Sequence, residues 1–382
     1  MLKDIYIIGD NIISPLGNTT AENFEQMKAG FSGLKQVVYE GAVPLQACAA
    51  LIGEAQTNLL FDQLNLQGKT YTRLEQFMIS SISDAVKQAA IDVSDKRTLI
   101  IISTTKGNID LLNPGRYPNV DPKRLYIGEM AKAIANYFNN PIKPIVTSNA
   151  CISGVSAIIT GARLIASGKY DTVIACGGDI IDDFTLSGFQ SFKALSDEPC
   201  RPFDKDRKGL NLGEGIGTVV LSRTKKNKAI KVLGGATSND ANHISGPSRD
   251  GSGLKIAIKS AVGKSNVGYN KIDLISAHGT ATPYNDEMET LAFSDMGMDN
   301  CVVNSLKGYF GHTLGGAGII ETVASTQMMR EGLSLKTLGF DHLGVSQPIS
   351  VSHTTENKPI NYCLKTASGF GGCNAALVLA RV

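Results

Sequence analysis

Short runs of β-branched residues alternate with helical stretches along all 382 residues, and this rhythm limits the folds that the chain can adopt. In the first half the pattern predicts strands at 5–8, 99–102, 172–175 and 217–221 and helices at 20–29, 72–90, 123–138 and 154–167. In the second half it predicts strands at 230–233, 272–275, 302–303, 361–364 and 375–379 and helices at 251–262, 286–293 and 317–330. Such alternation indicates an α/β fold in which helices cover parallel or mixed sheets.

The similar succession of elements in the two halves suggests two domains. A chain of this length exceeds the size at which one hydrophobic core normally suffices. The basic, polar segment 222–228 lies between the halves and is typical of a solvated turn. We therefore predict an N-terminal half at 1–225 and a C-terminal half at 226–382.

The charge balance and the cysteine spacing argue against several classes of protein. The chain has 37 basic and 35 acidic residues, and its net charge of +2 argues against a nucleic-acid-binding surface. Its seven cysteines show no CxxC spacing, so we expect neither a disulfide framework nor a metal site. No signal peptide precedes the first strand, and no apolar stretch approaches the ~20 residues that span a bilayer. These features predict a cytoplasmic protein that binds neither nucleic acid nor membrane.

Cys151 lies in the run SNACISG, between an apolar strand end at 144–147 and the helix at 154–167. A cysteine at a helix N-terminus faces unpaired backbone N–H groups and the positive end of the helix dipole, which favour its thiolate. An intracellular cysteine at such a junction is, however, more often a packed small hydrophobe. Cys151 alone therefore does not establish a nucleophile.

A histidine after a strand adds a second candidate. His278 lies in SAHGTATP, where a strand end can point it into a cleft. The same residues also fit a helix cap, with Thr282 as N-cap, Pro283 at the first helical position and Asp286 in the first turn. The two interpretations are compatible, because the cap would fix the loop that presents His278.

A third candidate lies in the glycine-rich run KGYFGHTLGGAG, which contains His312. Glycines this dense allow backbone to approach backbone or ligand, although they also suit simple packing. Lys307 and Glu321 flank His312 and could form a buried ion pair that orients it. His243 is a weaker candidate, and the turn GFGG at 369–372 carries Phe370, which suits a mobile gate or a backbone N–H donor.

Taken together, these motifs resemble the β-ketoacyl-acyl carrier protein synthases of the elongating (I/II) type. The similarity covers nearly the whole chain and includes IISPLG at 12–17, PFDKDR at 202–207 and GEGIG at 213–217, besides the Cys151, His278, His312 and GFGG motifs. The resemblance implies a thiolase-like fold of two similar α/β halves in a layered α-β-α-β-α architecture. It also implies the activity, a decarboxylative Claisen condensation that gives a 3-oxoacyl-acyl carrier protein in fatty acid or polyene/polyketide-type synthesis.

The resemblance implies a role for each motif residue. Cys151 would accept the acyl group, and His278 and His312 would hold the malonyl extender. The backbone of Phe370 would complete an oxyanion hole. The supporting charged residues would be Lys307, Glu321, Asp286 and Glu289, and the substrate-binding residues would be Thr280, Thr282, Asn374 and His243.

The resemblance further implies no cofactor or metal, because the phosphopantetheine arm of an acyl carrier protein delivers the thioesters. The partners would be that carrier protein, malonyl and acyl thioesters, and a second copy of the chain in a homodimer. Lys123, Arg124 and Arg207 are candidate contacts for the acidic carrier.

Two alternatives share the fold. One is a non-decarboxylating thiolase, which uses a second cysteine; Cys373 follows GFGG, where the family usually has Thr or Ser. The other is a non-catalytic subunit resembling a chain-length factor, which typically lacks the nucleophile. Ser368 replaces an aromatic residue of the family, so we expect an acyl group other than a plain long saturated chain.

Overall fold

The first half of the chain forms an α/β unit. The structure is a computed structural model, and it describes residues 4–39, 45–66, 68–113, 115–240, 242 and 246–382. Its strands here are β1 (Tyr6–Ile13), β2 (Lys35–Tyr39), β3 (Leu45–Ala50), β4 (Thr98–Ser103), β5 (Ile145–Thr147), β6 (Thr172–Asp179), β7 (Leu212–Gly213) and β8 (Gly215–Ser222). The helices are α1 (Thr20–Lys28), α2 (Glu54–Phe61), α3 (Arg73–Ala89), α4 (Ile127–Tyr137), α5 (Ser153–Ala166) and α6 (Asp183–Ser191).

The second half follows the same plan. Its strands are β9 (Ile230–Asn239), β10 (Leu274–Ser276), β11 (Val302–Asn304), β12 (Leu333–Ser334), β13 (Ser350–Val351), β14 (Glu356–Asn357), β15 (Tyr362–Gly369) and β16 (Cys373–Arg381). The helices are α7 (Ser252–Ser265), α8 (Pro283–Asp295), α9 (Lys307–Phe310) and α10 (Ala317–Glu331). Among the described residues, no helix has the length and apolarity needed to cross a bilayer.

The strand order shows that the second half repeats the first. The first half contributes the order β1-β8-β6-β4-β5 and the second β9-β16-β15-β10-β11. In each set the first two pairings are antiparallel and the last two are parallel. The sets join where Tyr6 and Ile7 of β1 pair with β9. The chain crosses between the halves in the turn between β8 and β9, and the boundary at 225/226 stays a prediction within that turn.

In the part of the chain that the structure describes, three large hydrophobic clusters separate the layers of the fold. Helices α2, α3 and α4 pack on the outer face of the first set of strands, and α7 and α8 pack on the outer face of the second set. Helices α5 and α10 lie between them and contribute to a core shared with strands of both sets. The layered α-β-α-β-α architecture that the resemblance implies is therefore confirmed.

Several elements depart from the sequence predictions. The helix predicted at 123–138 is divided into a 3₁₀ turn at Pro122–Leu125 and α4, because Tyr126 has an extended backbone (φ −71°, ψ 121°). The strand end at 144–147 was expected to be buried but is only half-buried, since β5 is the outermost strand of its sheet. The short elements β2, β3, α2 and α6 were not predicted.

The two central helices touch at glycines, and this contact positions the site. A Cβ on Gly154 of α5 would lie 2.8 Å from the backbone nitrogen of Ile319, and one on Gly318 of α10 would lie 2.5 Å from that of Val155. Real Cβ atoms do not come this close to backbone, so no other residue fits without movement. The close approach brings the start of α5 against the segment before α10.

We expect Gly318→Ala to lower the free energy of unfolding by about 1–3 kcal/mol or more, because the added methyl group overpacks the helix crossing. Gly263→Ala is the matched control: Gly263 is an exposed glycine of α7 with no atom near its Cβ position, so alanine there is neutral or stabilises by up to ~1 kcal/mol. Urea denaturation measures both. Equal midpoints for Gly318→Ala and the wild type contradict the close contact.

Candidate active site

Cys151 lies on a tight turn between β5 and α5. Ala150, just before it, has a left-handed backbone (φ 44°), which costs a non-glycine residue about 1–2 kcal/mol. Ser153 fixes the turn: its Oγ donates to the carbonyl of Ala150 (2.6 Å) and accepts from the N–H of Asn149 (2.8 Å). The turn presents the Cys151 thiol to a cavity of about 770 Å³.

His312 follows α9 and is held by backbone on both sides. Its N–H donates to the carbonyl of Asn211 (2.7 Å), and its carbonyl accepts from the N–H of Gly213 (3.1 Å). Its Nε2 lies 3.0 Å from the Sγ of Cys151. The helix crossing at Gly154 and Gly318 therefore places thiol and imidazole within hydrogen-bonding distance.

His278 follows β10 and lies beside His312, with the two ring centroids 5.2 Å apart. Its backbone is fixed by Glu289 of α8, whose carboxylate accepts from the N–H of His278 (2.8 Å) and of Gly279 (2.6 Å). The same carboxylate accepts from the Thr366 hydroxyl (3.0 Å). Glu289 thus supports the His278 turn, as expected of a supporting residue.

A buried cluster of two lysines and one glutamate lies behind the histidines, and we call Lys307, Glu321 and Lys365 the lysine–glutamate cluster. Lys307 forms the expected ion pair with Glu321, and its Nζ also donates to the carbonyl of His278 (2.9 Å). The pair was predicted to orient His312, but its direct contact is with the His278 turn. The Nζ of Lys365 lies 2.6 Å from the other oxygen of Glu321.

Asp286 supports the same turn from the start of α8. Its carboxylate accepts from the N–H of Phe203 (2.7 Å) and of Ala281 (3.2 Å), and burial raises its pKa to about 7. Thr282 occupies the N-cap position as predicted, but its hydroxyl bonds to that of Thr280 (2.9 Å) instead of capping the helix. Both threonines line the cavity.

Phe370 lies at the cavity with two further phenylalanines. Its ring stacks on Phe189 at 5.7 Å and meets Phe192 edge-on at 5.2 Å. The preceding Gly369 lies against Cys151, because a Cβ on it would be 3.0 Å from the Cys151 backbone nitrogen. The Phe370 turn is thus adjacent to the thiol, as the resemblance implies, and α6 supplies Phe189, which the sequence did not single out.

The structure places one predicted substrate-binding residue, Asn374, outside the cavity lining. Asn374 is buried in the GFGG turn, where its amide bonds to the Ser368 hydroxyl (2.8 Å) and the Gly372 carbonyl (3.1 Å), so it serves the turn and not the cavity. His243 lies outside the described residues.

Two structural contributors escaped the sequence analysis. Asp179 at the end of β6 accepts from the N–H groups of Gly315 (2.7 Å) and Thr105 (3.0 Å), which ties the segment after His312 to β4 and β6. Lys365 is the one charged residue in β15, and the predicted strand stopped just before it. A lysine inside an otherwise uncharged closing strand is the signal that could have identified it.

Burial sets the protonation states of the three converging residues. It raises the pKa of the Cys151 thiol to about 12, and the Lys307 charge opposes this only in part. Burial thus opposes the thiolate preference expected of a helix N-terminus, and that preference stays a prediction. Burial, together with the Lys307 charge, lowers the pKa of His278 and of His312 well below 6.5. At neutral pH the site holds a thiol and two uncharged imidazoles.

The same three residues form a group that could be considered for a metal ion, since their ligand atoms lie within 4.8 Å of one another. Two ligands of a tetrahedral zinc ion would be about 3.5 Å apart, given the usual Zn–S and Zn–N lengths. His312 Nε2 and Cys151 Sγ are closer, at 3.0 Å. The spacing fits a direct thiol–imidazole hydrogen bond better than shared coordination.

Comparison with known proteins identifies the family. The model of the β-ketoacyl synthase N-terminal domain matches residues 2–227, and that of the C-terminal domain matches residues 230–341. The chain is 30% identical to 3-oxoacyl-[acyl-carrier-protein] synthase 2 of Coxiella burnetii, over 100% of this chain and 99% of that protein. It is 28% identical to the synthase 2 of Vibrio cholerae, with the same coverage.

Solved structures agree with these relatives. The ishigamide ketosynthase/chain length factor superposes with a TM-score of 0.89 at 26% identity, covering 100% of both chains. A ketosynthase in complex with its chain length factor from Xenorhabdus doucetiae gives 0.89 at 25% identity, over 100% of this chain and 98% of that one. The two family models together match most of the chain, and the chain belongs to the β-ketoacyl synthase family.

Proposed function

We propose that the protein catalyses the decarboxylative condensation of an acyl group, held on Cys151, with a malonyl-acyl carrier protein. The product is a 3-oxoacyl-acyl carrier protein. The observation that carries the proposal is the convergence of Cys151, His278 and His312 at one cavity, with the thiol and an imidazole 3.0 Å apart. The synthase relatives support the same reaction class.

Acyl transfer to Cys151 is the first step. The sulfur attacks the thioester carbonyl of the incoming acyl carrier, and its proton passes to His312 Nε2 as the C–S bond forms, because a free thiolate is disfavoured at this buried position. The carbonyl oxygen gains negative charge and is stabilised by backbone N–H groups of Cys151 and Phe370. The carrier thiol then leaves with a proton.

Decarboxylation and condensation follow. The malonyl carboxylate leaves as CO₂, and the electron pair of the broken C–C bond moves onto the thioester oxygen as an enolate. His278 donates an N–H group to that oxygen, and so does His312 in its Nε2–H tautomer, which it adopts after the carrier thiol has taken the first proton. Each such donor contributes roughly 3–4 kcal/mol. The enolate carbon attacks the acyl group, and Cys151 leaves as a thiolate that takes up one proton from solvent.

The charged residues behind the histidines act through them. Lys307, Glu321 and Glu289 fix the His278 turn, and Asp286 fixes the threonines that follow it. Thr280 and Thr282 line the cavity where the phosphopantetheine arm would enter. In this scheme the carrier arm supplies the activated thioester, and no metal or further cofactor takes part.

The geometry favours this reaction over the two alternatives. A thiolase would need a second cysteine facing the substrate, whereas the Sγ of Cys373 faces the carbonyls of Phe370 (3.1 Å) and Asn149 (3.8 Å). A non-catalytic subunit would not need the thiol, the two imidazoles and their buried supports to converge.

Intact mass measurement tests the proposal. After incubation with a panel of acyl carrier protein thioesters, the chain should gain the mass of one acyl group. A chain that gains no acyl mass from any thioester contradicts the proposal.

The same panel tests the substrate. The Phe189–Phe370–Phe192 cluster and Ser368 at the cavity support an unsaturated or aryl-terminated acyl group. A preference for the long saturated chain contradicts that part alone.

The carrier protein would dock at the cavity mouth through exposed cations. Lys193 and Arg249 are exposed and line it, whereas Arg124 and Arg207, named from the sequence, are engaged inside the fold. Arg124 pairs with buried Glu75 (2.7 Å), and a guanidinium N–H of Arg207 donates to the carbonyl of Gly344 (2.6 Å).

We expect Lys193→Glu and Arg249→Glu each to raise the KM for an acyl carrier thioester about fivefold at low salt, with little change in kcat, because rim charges steer an acidic partner. Added salt should shrink the difference. Lys259→Glu, an exposed lysine on α7 outside the cavity lining, is the control. The KM of each variant and of the wild type is measured by steady-state kinetics at two salt concentrations. A wild-type KM that does not depend on salt contradicts this docking site.

We also propose that the protein is a homodimer. Strand β5 is the outermost strand of its sheet and only half-buried, so one of its edges is available to the same strand of a second copy.

A further inference from the structure

Lys365 is a fully buried lysine that the reaction steps above do not use. It lies in the middle of β15, in register with Ser276 at the end of β10. Burying a lysine is costly unless it is paired, and Glu321 already has a partner in Lys307. Pairing of Glu321 therefore does not account for a second lysine at this position.

Burial lowers the pKa of Lys365, and the acceptors around it oppose this by favouring the charged form. Its Nζ donates to the carbonyls of Ser276 (3.1 Å), Ala277 (3.2 Å) and Thr366 (2.6 Å), and it lies 2.6 Å from a Glu321 oxygen. All four neighbours are acceptors, and an ammonium group has three donors and no acceptor. The shell therefore matches an ammonium ion.

Lys365 and Lys307 together hold three consecutive carbonyls. Lys365 takes those of Ser276 and Ala277, and Lys307 takes that of His278. Glu321 links the two ammonium groups, and Glu289 holds the N–H of His278 from the opposite side. Each of the three residues that end at His278 is thus held by a charged side chain through its backbone carbonyl.

The cluster also has a net positive charge, since two ammonium groups face one carboxylate. Burial and Lys307 lower the pKa of both histidines most. Lys365 lowers it further, after His312 in the case of His278 and after Lys106 in the case of His312. Among the described residues, the titratable groups near the two imidazoles and the Cys151 thiol include Cys151, Lys106, Asp179, Asp286, Glu289, Lys307, Glu321, Lys365 and Cys373.

We propose that Lys365 is a positioning residue for the condensation: by holding the carbonyls of Ser276 and Ala277 and by balancing Glu321, it fixes the His278 imidazole at the extender carbonyl. The inference rests on the proposed function and extends it to a residue outside the cavity. Loss of Lys365 should therefore impair decarboxylation, which uses His278, more than acylation of Cys151, which Lys365 does not contact.

The test is Lys365→Met, which keeps the length of the side chain and removes its charge and donors. We expect malonyl-carrier decarboxylation to fall about tenfold or more, because loosened positioning of a reacting group is costly, while Cys151 acylation changes less than about threefold. With one positive charge removed, the histidines become easier to protonate, so the acid limb of the decarboxylation pH profile moves to higher pH. Lys255→Met, which breaks a surface ion pair with Asp295, is the control and keeps the wild-type profile.

The double variant Lys365→Met/Glu321→Gln separates the effect of the charge on the histidines from the effect of the lost hydrogen bonds to the backbone carbonyls. It serves the same test if the single variant does not fold. It restores one net positive charge, so its acid limb should return towards the wild-type pH while decarboxylation stays slow. Wild-type decarboxylation in either folded variant overturns the proposal. So does an equal loss of acylation and decarboxylation with an unmoved pH profile. A wild-type protein that does not decarboxylate malonyl carrier at all contradicts the proposed function instead.

Discussion

Replacing Cys151 with alanine should abolish self-acylation and lower condensation by roughly 10⁴-fold or more, since the residue supplies the nucleophile and neighbouring groups cannot replace it. The fold should survive, because the change removes one sulfur atom from a turn already fixed by Ser153. Intact mass after incubation with an acyl carrier thioester is the readout. Malonyl-carrier decarboxylation should persist, because both imidazoles remain.

Cys373→Ala is the matched control for Cys151→Ala. Its sulfur lies in the adjacent GFGG turn, where it contacts the carbonyl of Phe370 (3.1 Å). We expect it to leave acylation near the wild-type level. Acylation that survives in Cys151→Ala and disappears in Cys373→Ala would transfer the nucleophilic role to Cys373 and favour thiolase-like chemistry.

Replacing His278 with alanine should lower malonyl decarboxylation by about 10²–10³-fold, the usual effect of losing one donor at a developing oxyanion. Acylation of Cys151 should change little, because the thiol contacts His312 and not His278. His278→Asn keeps an N–H donor and should recover part of the rate. The two half-reactions are measured separately, as CO₂ release and as acyl mass on the chain. Loss of acylation with normal decarboxylation in His278→Ala would reverse the assigned role.

His312→Ala should impair both half-reactions, since His312 both contacts the thiol and would face the enolate.

The direction in which pH changes decarboxylation and stability follows from the pKa of the two imidazoles. Because the pKa of both imidazoles is depressed below 6.5, they stay uncharged at pH 6.5, and decarboxylation should fall only at lower pH. The unfolded chain binds protons at these histidines near pH 6.5 whereas the folded chain does not, so they also make folding less stable as the pH falls below that value.

Much of the fold was predictable because its elements are long and regular. The hydrophobic periodicity gave α3, α5 and α10 to within two residues, and the alternation of elements gave the α/β class. The repeated strand order could not be read from periodicity, because pairing is decided by contacts between distant segments. The short strands β2 and β3 and helices α2 and α6 escaped for a similar reason, since tertiary packing and not local propensity stabilises them.

The residues of the site were predictable where they lie in sequence motifs. Protonation states and buried contacts were less predictable, because they depend on burial in the folded chain. Cys151, His278 and His312 converge as expected. The helix N-terminus that favours the thiolate is visible in the sequence, whereas the opposing burial, which raises the pKa of the thiol to about 12, is not. Lys365 and Asp179 were missed because their partners are backbone groups brought together only by the fold.

A single-turnover experiment tests the central claim most directly. The acylated chain is freed of acyl carrier, mixed with malonyl-acyl carrier protein, and both proteins are weighed by intact mass spectrometry. We expect the acyl mass to leave Cys151 while the malonyl group on the carrier is converted to a 3-oxoacyl group, with one CO₂ released for each acyl group transferred. Retention of the acyl group on Cys151 while malonyl carrier is present, or a product that keeps the malonyl carboxylate, would contradict the account.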